Sequence, residues 1–493
     1  MSAVASALAP VLGSVAAVVD PALASRVQFA WSISVHIVFA ALSVGLAPYI
    51  VYFTYKEVRT GEERFARLRG FWTKVFALGF VLGTVTGIPL SFQFGTNFAA
   101  FSTFAGEVIG GPLAFETFMA FFLEAVFLGI LLFGRDRVSD RLYVGSSVLV
   151  MAGAWASAFW ILVVNAWMQT PRGYELVERG GETLVRLTDP VAAFTTPRLP
   201  WLYVHMTNAA VVSVSLLIAG VAAYFVWANE ESEPWAHALR VSVAVLAVAG
   251  VFQVIHGDAY TRHVVQTQPM KFAAMEAAYQ TKQGAPLHLI AFPRNLGDIL
   301  DPRAENLVSV SIPYMASMLA SMGDPNAVVY GLEEFDVESP PVAVVFWSFR
   351  TMVTLGFWFI LLGVWGVYRL RKGRLATRSR HLQLLWLSTP LGFVAIVVGW
   401  YVTEVGRQPW TIQDLLKTDA AVSPSVTGIE AALSLGGFIT LYLLLLAGFL
   451  AGCKWLVDEE LERIDEATAG AVSEPDVTPD PTEPVPDSGG DGP

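Results

Sequence analysis

The stretch LGFVAIVVGWYVTEVGRQPW, residues 391–410, decides the class of fold to which this chain belongs. Its first twelve residues carry no charge, which suits a helix in lipid, and Glu404 and Arg407 follow soon after them. A helix needs roughly 20 mostly apolar residues to cross about 30 Å of hydrocarbon, and the residues before this stretch extend the run to that length. Because ionisable side chains are costly at membrane depth, the two charged residues are expected to face protein and to have a function.

The composition of the whole chain indicates a membrane protein. Hydrophobic residues make up 54% of the 493 residues and charged residues only 15%, against about a quarter charged in soluble domains. The sequence therefore predicts an all-α integral membrane protein. Nine apolar runs are long enough to be transmembrane helices, at residues 28–52, 73–92, 113–133, 142–167, 203–227, 238–256, 343–368, 383–403 and 430–455.

The distribution of Lys and Arg between the connecting loops predicts the orientation of the bundle. Residues 55–74, 134–141 and 368–381 are rich in basic residues, whereas the loop at 91–111 contains no Lys or Arg. Positively charged loops stay on the cytoplasmic side of a membrane. The N-terminus is therefore expected outside and the C-terminus inside.

These features divide the chain into five predicted parts. The outer loop is apolar enough to fold against the membrane surface and is interpreted as a functional segment. The C-terminal tail holds twelve acidic residues and one arginine, and it is expected to be disordered from about residue 468. The parts are an outer N-terminal segment (1–27, its Ala- and Val-rich start being a surface segment and not a signal peptide), helices 1–6 (28–256), the outer loop (257–342), helices 7–9 (343–456) and the acidic cytoplasmic tail (457–493).

Cys453 is the only cysteine of the chain. A disulfide framework and a thiolate-held cluster are therefore excluded, and no C-x-x-C-H motif is present. Any haem would be held without thioether links.

Side chains that can bind metal or carry protons concentrate near the outer ends of the predicted spans. Five of them, on five different spans, lie at comparable depth: His36, Glu116, His205, Met352 and Glu404. Taken alone, a histidine is often a hydrogen-bonded core residue, and a methionine usually fills a gap in packing. Five such groups in one layer indicate a buried polar cluster that packing alone does not explain.

The identities of these groups favour haem. An imidazole and a thioether at matching depth, here His205 and Met352, are the pair that holds a six-coordinate haem used for electron transfer, and Arg350 beside them can neutralise haem propionates. Zinc is disfavoured because no compact motif such as H-E-x-x-H occurs. On one continuous helix Glu116 and Glu124 lie on the same side, as expected for a proton path or for a ligand with a relay.

Several segments of the chain resemble subunit I of the cytochrome bd family of quinol oxidases, in that family's order. The likeness runs from about Ser25 to the end of the ninth predicted span, and FQFGTN and GRQPW are its most specific parts. The segments are SRVQFAWSISVH, FWTKVFALGFVLGTVTGIPLSFQFGTNF, GGPLAFETFMAFFLEAVFLGILLFGRDR, ASAFWILVVNAWMQTP, FRTMV and GWYVTEVGRQPW.

The resemblance implies three haem cofactors. His205 and Met352 would be the axial ligands of a low-spin haem b, with Arg350 near it. His36 and Glu404 would ligate two high-spin haems, and the preferred assignment gives His36 to haem d and Glu404 to the high-spin haem b. The reverse assignment of these two haems stays open.

The resemblance also implies roles around these haems. Glu116 matches an acid beside the oxygen-reactive haem, Glu124 an acid on the proton route, and Trp400 an aromatic side chain between haems. Arg407 would offset the charge of Glu404 or bind a propionate.

The outer loop and the overall reaction are implied in the same way. Lys271 and Glu276 match the loop that oxidises quinol, although a surface Lys and Glu five residues apart would otherwise be unremarkable. The implied reaction is oxidation of a membrane quinol at the outer side and reduction of oxygen to water with protons from the cytoplasm, which separates charge without a pump. The resemblance implies a multi-pass protein of a prokaryotic cytoplasmic membrane, a subunit II as partner with optional small single-span subunits, and contact with lipid and quinone but not with nucleic acid.

Three other hypotheses remain open from the sequence. The first is a variant oxidase with haem b where haem d usually sits. The second is a membrane transporter with intramembrane His and Glu, which would be expected to have Gly- or Pro-interrupted helices near mid-membrane. The third is a haem protein that passes electrons on without reducing oxygen.

Overall fold

The computed structural model describes residues 20–117, 121–230, 232–293 and 306–473, and these form a mostly helical bundle. Among these residues seven helices are long and apolar enough to cross a membrane, and the pair Arg380–Ser388 and Leu391–Val405, bent by 42°, adds an eighth if the two form one span. The helices are α1 (Pro21–Thr60), α2 (Glu63–Thr96), α3 (Ala99–Phe115), α4 (Phe121–Phe133), α5 (Asp140–Gln169), α6 (Pro190–Phe194), α7 (Leu199–Ala228), α8 (Glu233–Thr267), α9 (Pro269–Glu276), α10 (Met315–Ser321), α11 (Val342–Arg371), α12 (Arg380–Ser388), α13 (Leu391–Val405), α14 (Thr418–Ala421) and α15 (Gly428–Ser473).

In the described ranges, short strands form four antiparallel two-stranded ribbons, which connect helices at one end of the bundle. Together with the short helix α9 they cover that end, which we name the hairpin end. The ribbons are β1 (Tyr174–Arg179) with β2 (Glu182–Leu187), β3 (Lys282–Gln283) with β6 (Val328–Val329), β4 (Leu287–Pro293) with β5 (Asn306–Ile312), and β7 (Trp410–Ile412) with β8 (Leu416–Lys417).

The prediction of an all-α membrane protein is confirmed at the level of seven or eight spanning helices. The described residues of the third predicted span, 113–133, belong to α3 and to the short α4. Residues 118–120 lie outside the described ranges. Nine spans and their orientation therefore stay predictions.

The segment at 91–111 was predicted as a loop, and this prediction was wrong, because α2 continues to Thr96 and α3 begins at Ala99. Apolar residues at helical spacing explain the difference, since one face of α3 packs into a core with α5 and β2. The buried residues of this face are Phe101, Ala105, Val108 and Ile109.

The two ends of the described chain also shift the predicted boundaries. α1 begins at Pro21, where the Asp20 side chain accepts hydrogen bonds from the backbone N–H groups of Ala22 and Leu23, so part of the predicted outer segment is helical. At the other terminus α15 continues to Ser473, beyond the point where disorder was predicted to begin. Residues 1–19 and 474–493 lie outside the described ranges.

The apolar core lies mainly toward the end of the bundle opposite the hairpin end, where α2, α7 and α8 pack aromatic rings together. The rings of Phe225 and Trp235 stack at a centroid distance of 4.2 Å, and Phe71 packs edge-on against Trp235 at 5.0 Å. All three side chains are buried.

Gly45 of α1 allows a close approach to α7. A Cβ atom at Gly45 would lie 2.2 Å from the backbone oxygen of Ala210. We expect Gly45→Ala to lower the free energy of unfolding by about 1–3 kcal/mol, because overpacking forces the two helices apart. The measurement is thermal unfolding of the purified protein.

The control for this variant is Gly145→Ala in α5, where a Cβ would meet no atom of the described residues within 4 Å. This control should be neutral or slightly stabilising, because alanine favours the helix. Equal losses of stability in the two variants would contradict the close approach.

Candidate functional site

Glu404 lies at the end of α13, where its carboxylate is held by three donors. Its Oε1 accepts hydrogen bonds from Asn165 Nδ2 at 2.8 Å and from Gln169 Nε2 at 3.4 Å, and its Oε2 accepts one from Arg407 Nη2 at 2.5 Å. Asn165 and Gln169 are four residues apart on α5 and therefore present both amides to the same side. The carboxylate is thus fixed in position by a neighbouring helix and by the turn that follows it.

Lys271 joins α9 to the same polar group. Its side chain is buried, and Nζ donates to Gln169 Oε1 at 2.6 Å and to Gln268 Oε1 at 2.8 Å. The amide of Gln169 therefore accepts from Lys271 and donates to Glu404. This contact connects the predicted quinol residue to a predicted haem ligand through one side chain.

The electrostatic surroundings of Lys271 favour its neutral form. Burial lowers the pKa of Lys271 well below its ordinary value, and the positive charges of Arg198 and Arg407 act in the same direction, whereas Glu404 opposes them. An amine that is held neutral has a free lone pair and can therefore accept a proton.

Glu276 faces a different partner from Lys271. Its carboxylate pairs with Arg350, whose Nη2 lies 2.5 Å from Oε2 and whose Nη1 lies 3.4 Å from Oε1, and Arg350 Nε donates to the carbonyl of His288 at 2.6 Å. Burial raises the pKa of Glu276, and Arg350 opposes this shift. The Arg350 guanidinium thus joins α11 to α9 and β4.

Lys271 and Glu276 are not the unremarkable surface pair that their spacing alone would suggest, because each is only 2% exposed. Five residues of helix turn through about 500°, so the two side chains leave α9 in different directions. They therefore belong to two separate polar networks, Lys271 with Gln169 and Gln268, and Glu276 with Arg350.

His36 lies on α1 and contacts Thr86 of α2, with Nδ1 3.1 Å from Oγ1. The Thr86 hydroxyl donates to the carbonyl of Leu82 at 2.7 Å, so it accepts from His36 Nδ1–H. This hydrogen bond leaves the lone pair on Nε2, the arrangement that a metal-binding imidazole requires. The carbonyl of Thr86 accepts from the Tyr442 hydroxyl of α15 at 3.0 Å, which fixes this turn of α2.

His205 lies on α7 beside α8. The amide nitrogen of Gln253 donates to His205 Nε2 at 3.1 Å, and the Gln253 carbonyl accepts from Asn208 at 2.6 Å. The lone pair of His205 therefore lies on Nε2. Its Nδ1 is buried without a hydrogen-bond partner in the part of the chain that the structure describes.

Met352 and Trp400 contact the same group of helices. A Cβ atom at Gly399 of α13 would lie 2.9 Å from Met352 Sδ, so the absence of a side chain at Gly399 makes room for the thioether. The indole of Trp400 donates to the sulfur of Met206 on α7 at 3.3 Å. Met352 thus lies against α13 and His205 against α8, in neighbouring parts of the bundle.

Glu116 directly follows the last residue of α3, and Glu124 lies in the first turn of α4. Glu116 accepts hydrogen bonds from Ser157 Oγ at 3.0 Å and from Thr117 Oγ1 at 3.2 Å. Glu124 is 6% exposed, and within the described ranges its Oε1 has no hydrogen-bond partner. The prediction that both project from one continuous helix involves residues 118–120, which are not described.

Buried positive charge gathers near Glu404. Arg198, Lys271 and Arg407 are each at most 4% exposed. Nε and Nη1 of Arg407 have no hydrogen-bond partner among the residues described. Free guanidinium N–H groups of this kind bind carboxylates well, so the donors present fit the propionates of a haem. No group of three or more His, Cys, Asp or Glu side chains that could hold a bare metal ion occurs in the described ranges.

Sequence reasoning did not single out several of these polar residues. Asn165 and Gln169 carried a usable signal, since two amides four residues apart end an otherwise apolar span. Thr86, Gln253 and Gln268 carried none, because single hydroxyls and amides are common at helix ends.

These observations define a multi-pass membrane protein with candidate ligands on several helices and a cluster of buried charged side chains around Glu404. The family model described as cytochrome bd terminal oxidase subunit I matches residues 24–459. The chain belongs to this family, and the predicted membership is confirmed. The apolar helices and the family together also confirm a multi-pass protein of a prokaryotic plasma membrane.

Individual relatives are similar over most of their length. The chain is 31% identical over 433 residues to cytochrome bd ubiquinol oxidase subunit 1 of Bacillus subtilis, covering 85% of this chain and 90% of that protein. It is 31% identical over 485 residues to cytochrome bd-II ubiquinol oxidase subunit 1 of Escherichia coli, covering 86% and 93%. A chain of the bd oxidase from Geobacillus thermodenitrificans is similar in structure, with a TM-score of 0.81, 30% identity, and coverage of 89% of this chain and 99% of that one.

Proposed function

We propose that the chain is the haem-carrying subunit of a terminal quinol oxidase. It oxidises membrane quinol at the hairpin end and reduces oxygen to water with protons taken from the other side, which separates charge without pumping. Family membership supports this reaction. The observation that carries it is the contact from Lys271 through Gln169 to Glu404, because it links a substrate-side amine to a proposed cofactor ligand.

The proposed cofactors are a low-spin haem b, a high-spin haem b and haem d, which when bound would accept single electrons and bind oxygen. His205 and Met352 would hold the low-spin haem, His36 haem d, and Glu404 the high-spin haem b. The lone pair on His36 Nε2, set by the bond from Nδ1 to Thr86, supports its role. Arg407 would bind a propionate.

The quinol headgroup is proposed to bind in a cavity of about 360 Å³ at the hairpin end, which Lys271 lines. Gln268 and Gln413, which also line it, are hydrogen-bonded to one another at 3.0 Å and offer polar groups to the two quinol oxygens. Because the pKa of Lys271 is lowered by burial, its amine can accept a proton from a quinol hydroxyl. Glu276 would support the site through its pair with Arg350, which precedes Met352 by two residues.

Glu124 and Glu116 are proposed as stations for the protons used in making water. The unpartnered Oε1 of Glu124, within the described ranges, and the bond from Ser157 to Glu116 give the two carboxyls different surroundings. Burying a carboxyl in an apolar span costs free energy, so such a residue usually has a function, and a step in proton transfer is the one proposed here. Trp400, held by Met206, would lie between haems.

A subunit II is the implied partner, since this family is that of subunit I. Exposed leucines along α15 form an apolar face, and only 6% of an apolar stretch of 18 residues in this helix is buried. Lipid, subunit II and small single-span subunits are proposed neighbours of such faces. No nucleic acid is expected.

The test of the proposed function is a reduced minus oxidised visible spectrum of the purified complex, with quinol-dependent oxygen consumption measured on the same sample. A chlorin band beside haem b bands, with oxygen consumption, is the expected result. Haem b bands alone would favour the variant oxidase, and haem without oxygen consumption an electron carrier. Folded protein without haem would overturn the proposal and favour the hypothesis of a membrane transporter.

Lys271→Met is expected to reduce quinol-dependent oxygen consumption by at least about 100-fold, because it removes the proposed proton acceptor. The haem spectrum should be unchanged. Thermal stability should be equal or higher, since a buried polar amine is replaced by an apolar side chain of similar length. Oxygen consumption at saturating quinol, together with the spectrum, measures the effect.

The matched control is Lys282→Met, because Lys282 is an exposed lysine in the same outer loop. It should retain activity. Activity of the Lys271 variant within about twofold of the control would remove Lys271 from the mechanism.

A further inference from the structure

Two facing helices carry matched rows of side chains at the hairpin end. α7 with its N-cap supplies Arg198, Trp201 and His205, and α8 supplies His256, Tyr260 and His263. Spacings of three and four residues place each row on one helix face. The two rows therefore form one stripe between the helices.

Ring contacts join the stripe without interruption from His205 toward Arg198. The His205 ring lies 5.8 Å from that of His256 and 5.5 Å from that of Tyr260. Trp201 packs on His256 at 5.5 Å and on His263 at 6.2 Å. The Arg198 guanidinium carbon lies 4.5 Å from the centre of the Tyr260 ring.

Arg198 is almost completely buried, with 1% of its surface exposed. Its Nε and Nη1 have no hydrogen-bond partner within the ranges described, and the same is true of His263 Nε2. A buried guanidinium normally requires an anion and satisfied N–H groups. The Tyr260 ring supplies a favourable face but no charge.

The nearby carboxylate is already engaged. Glu404 accepts hydrogen bonds from Arg407, Asn165 and Gln169. Arg198 and Arg407, both buried, have this one carboxylate as their shared anionic neighbour. The positive charge of Arg198 is thus in excess, and the donors around it fit an anion from outside the chain.

We propose that Arg198 and His263 bind a propionate of the low-spin haem for which His205 is the proposed ligand. Arg198 precedes His205 by seven residues, so it lies on the same face about 10 Å farther along the axis. That separation is of the order of the reach from a haem iron to its propionates. The inference rests on the proposed function, and it makes Arg198 a positioning residue that also raises the reduction potential of this haem, because a nearby cation favours the ferrous form.

The experiment is a potentiometric titration of the purified complex followed at the low-spin haem b band. Arg198→Gln is expected to lower the midpoint potential of this haem and to leave the high-spin haems unchanged. Arg198→Lys should restore most of the shift, because it keeps the charge. Arg262→Gln is the matched control, since Arg262 lies at the same end of α8 but is paired with Asp258 and partly exposed.

Each other outcome decides against part of the proposal. An unchanged low-spin potential in Arg198→Gln with full haem content would overturn it, and a shift confined to a high-spin haem would overturn the assignment to His205. A wild-type potential that varies with added inorganic phosphate would identify a free anion as the occupant. If Arg198→Gln does not fold, His263→Ala and Arg198→Lys give the same test, whereas wild-type complex without haem would refute the proposed function and not this site alone.

Discussion

Replacing His205 by alanine is expected to abolish the low-spin haem b absorption and to reduce quinol-dependent oxygen consumption by more than about 100-fold. Loss of an axial ligand removes the six-coordinate state on which electron transfer through that haem depends, and loss of a group that merely supports a ligand already costs about 10–100-fold. The high-spin bands should persist, because their proposed ligands His36 and Glu404 lie on other helices. Reduced minus oxidised spectra of the variant complex measure the effect.

His381→Gln provides the control, since His381 is a fully buried histidine that bonds only to the backbone carbonyl of Leu362, at 3.0 Å, in the described structure. It should keep all haem bands, and any effect should be on stability. Retention of the low-spin band in His205→Ala would move the ligand elsewhere. Loss of every haem band in folded protein would mean that His205 is needed for haem binding throughout the bundle and not for one haem alone.

Glu276→Ala is expected to lower the free energy of unfolding by about 3–5 kcal/mol, because it leaves the guanidinium of Arg350 buried without its partner. The pair lies at 2.5 Å, with side chains 3% and 11% exposed. Thermal and detergent-induced unfolding of the purified protein measure the change. Glu276→Ala with Arg350→Met should recover much of the loss, since the unpaired charge is then gone.

Glu175→Ala is the comparison, because Glu175 pairs with Arg186 at 3.1 Å on an exposed β-ribbon, with both side chains at least half exposed. Exposed pairs contribute about 0–1 kcal/mol. Equal losses of stability in Glu276→Ala and Glu175→Ala would show that the buried Glu276–Arg350 pair contributes no more than an exposed pair.

The helical spans could be predicted because hydrocarbon length and apolar composition alone determine them. Most predicted runs lie inside the observed helices, for example 142–167 within α5 and 203–227 within α7. The loop at 91–111 was mispredicted because the absence of Lys and Arg says nothing about helix formation. The sequence signal for this helix was the helical spacing of apolar residues such as Phe101 and Val108, which are buried in the structure.

The candidate site was predictable as residue types but not as contacts. His36, His205, Met352 and Glu404 stand out because each is unusual in an apolar span. The burial of Lys271 and Glu276 could not be read from the outer loop, because it depends on how α9 docks against α5 and α11. Arg198 was missed because a single arginine between prolines before a span resembles an ordinary interfacial anchor.

The bond from Tyr442 to the carbonyl of Thr86 has a consequence for biosynthesis. Thr86 orients His36, yet Tyr442 belongs to α15, which follows the other described helices in the chain. During translation, therefore, α1 and α2 enter the membrane long before the residue that completes their support has been made. We expect stable haem binding at the proposed His36 site to wait for insertion of α15, so that a half-made chain would not hold an oxygen-reactive haem there.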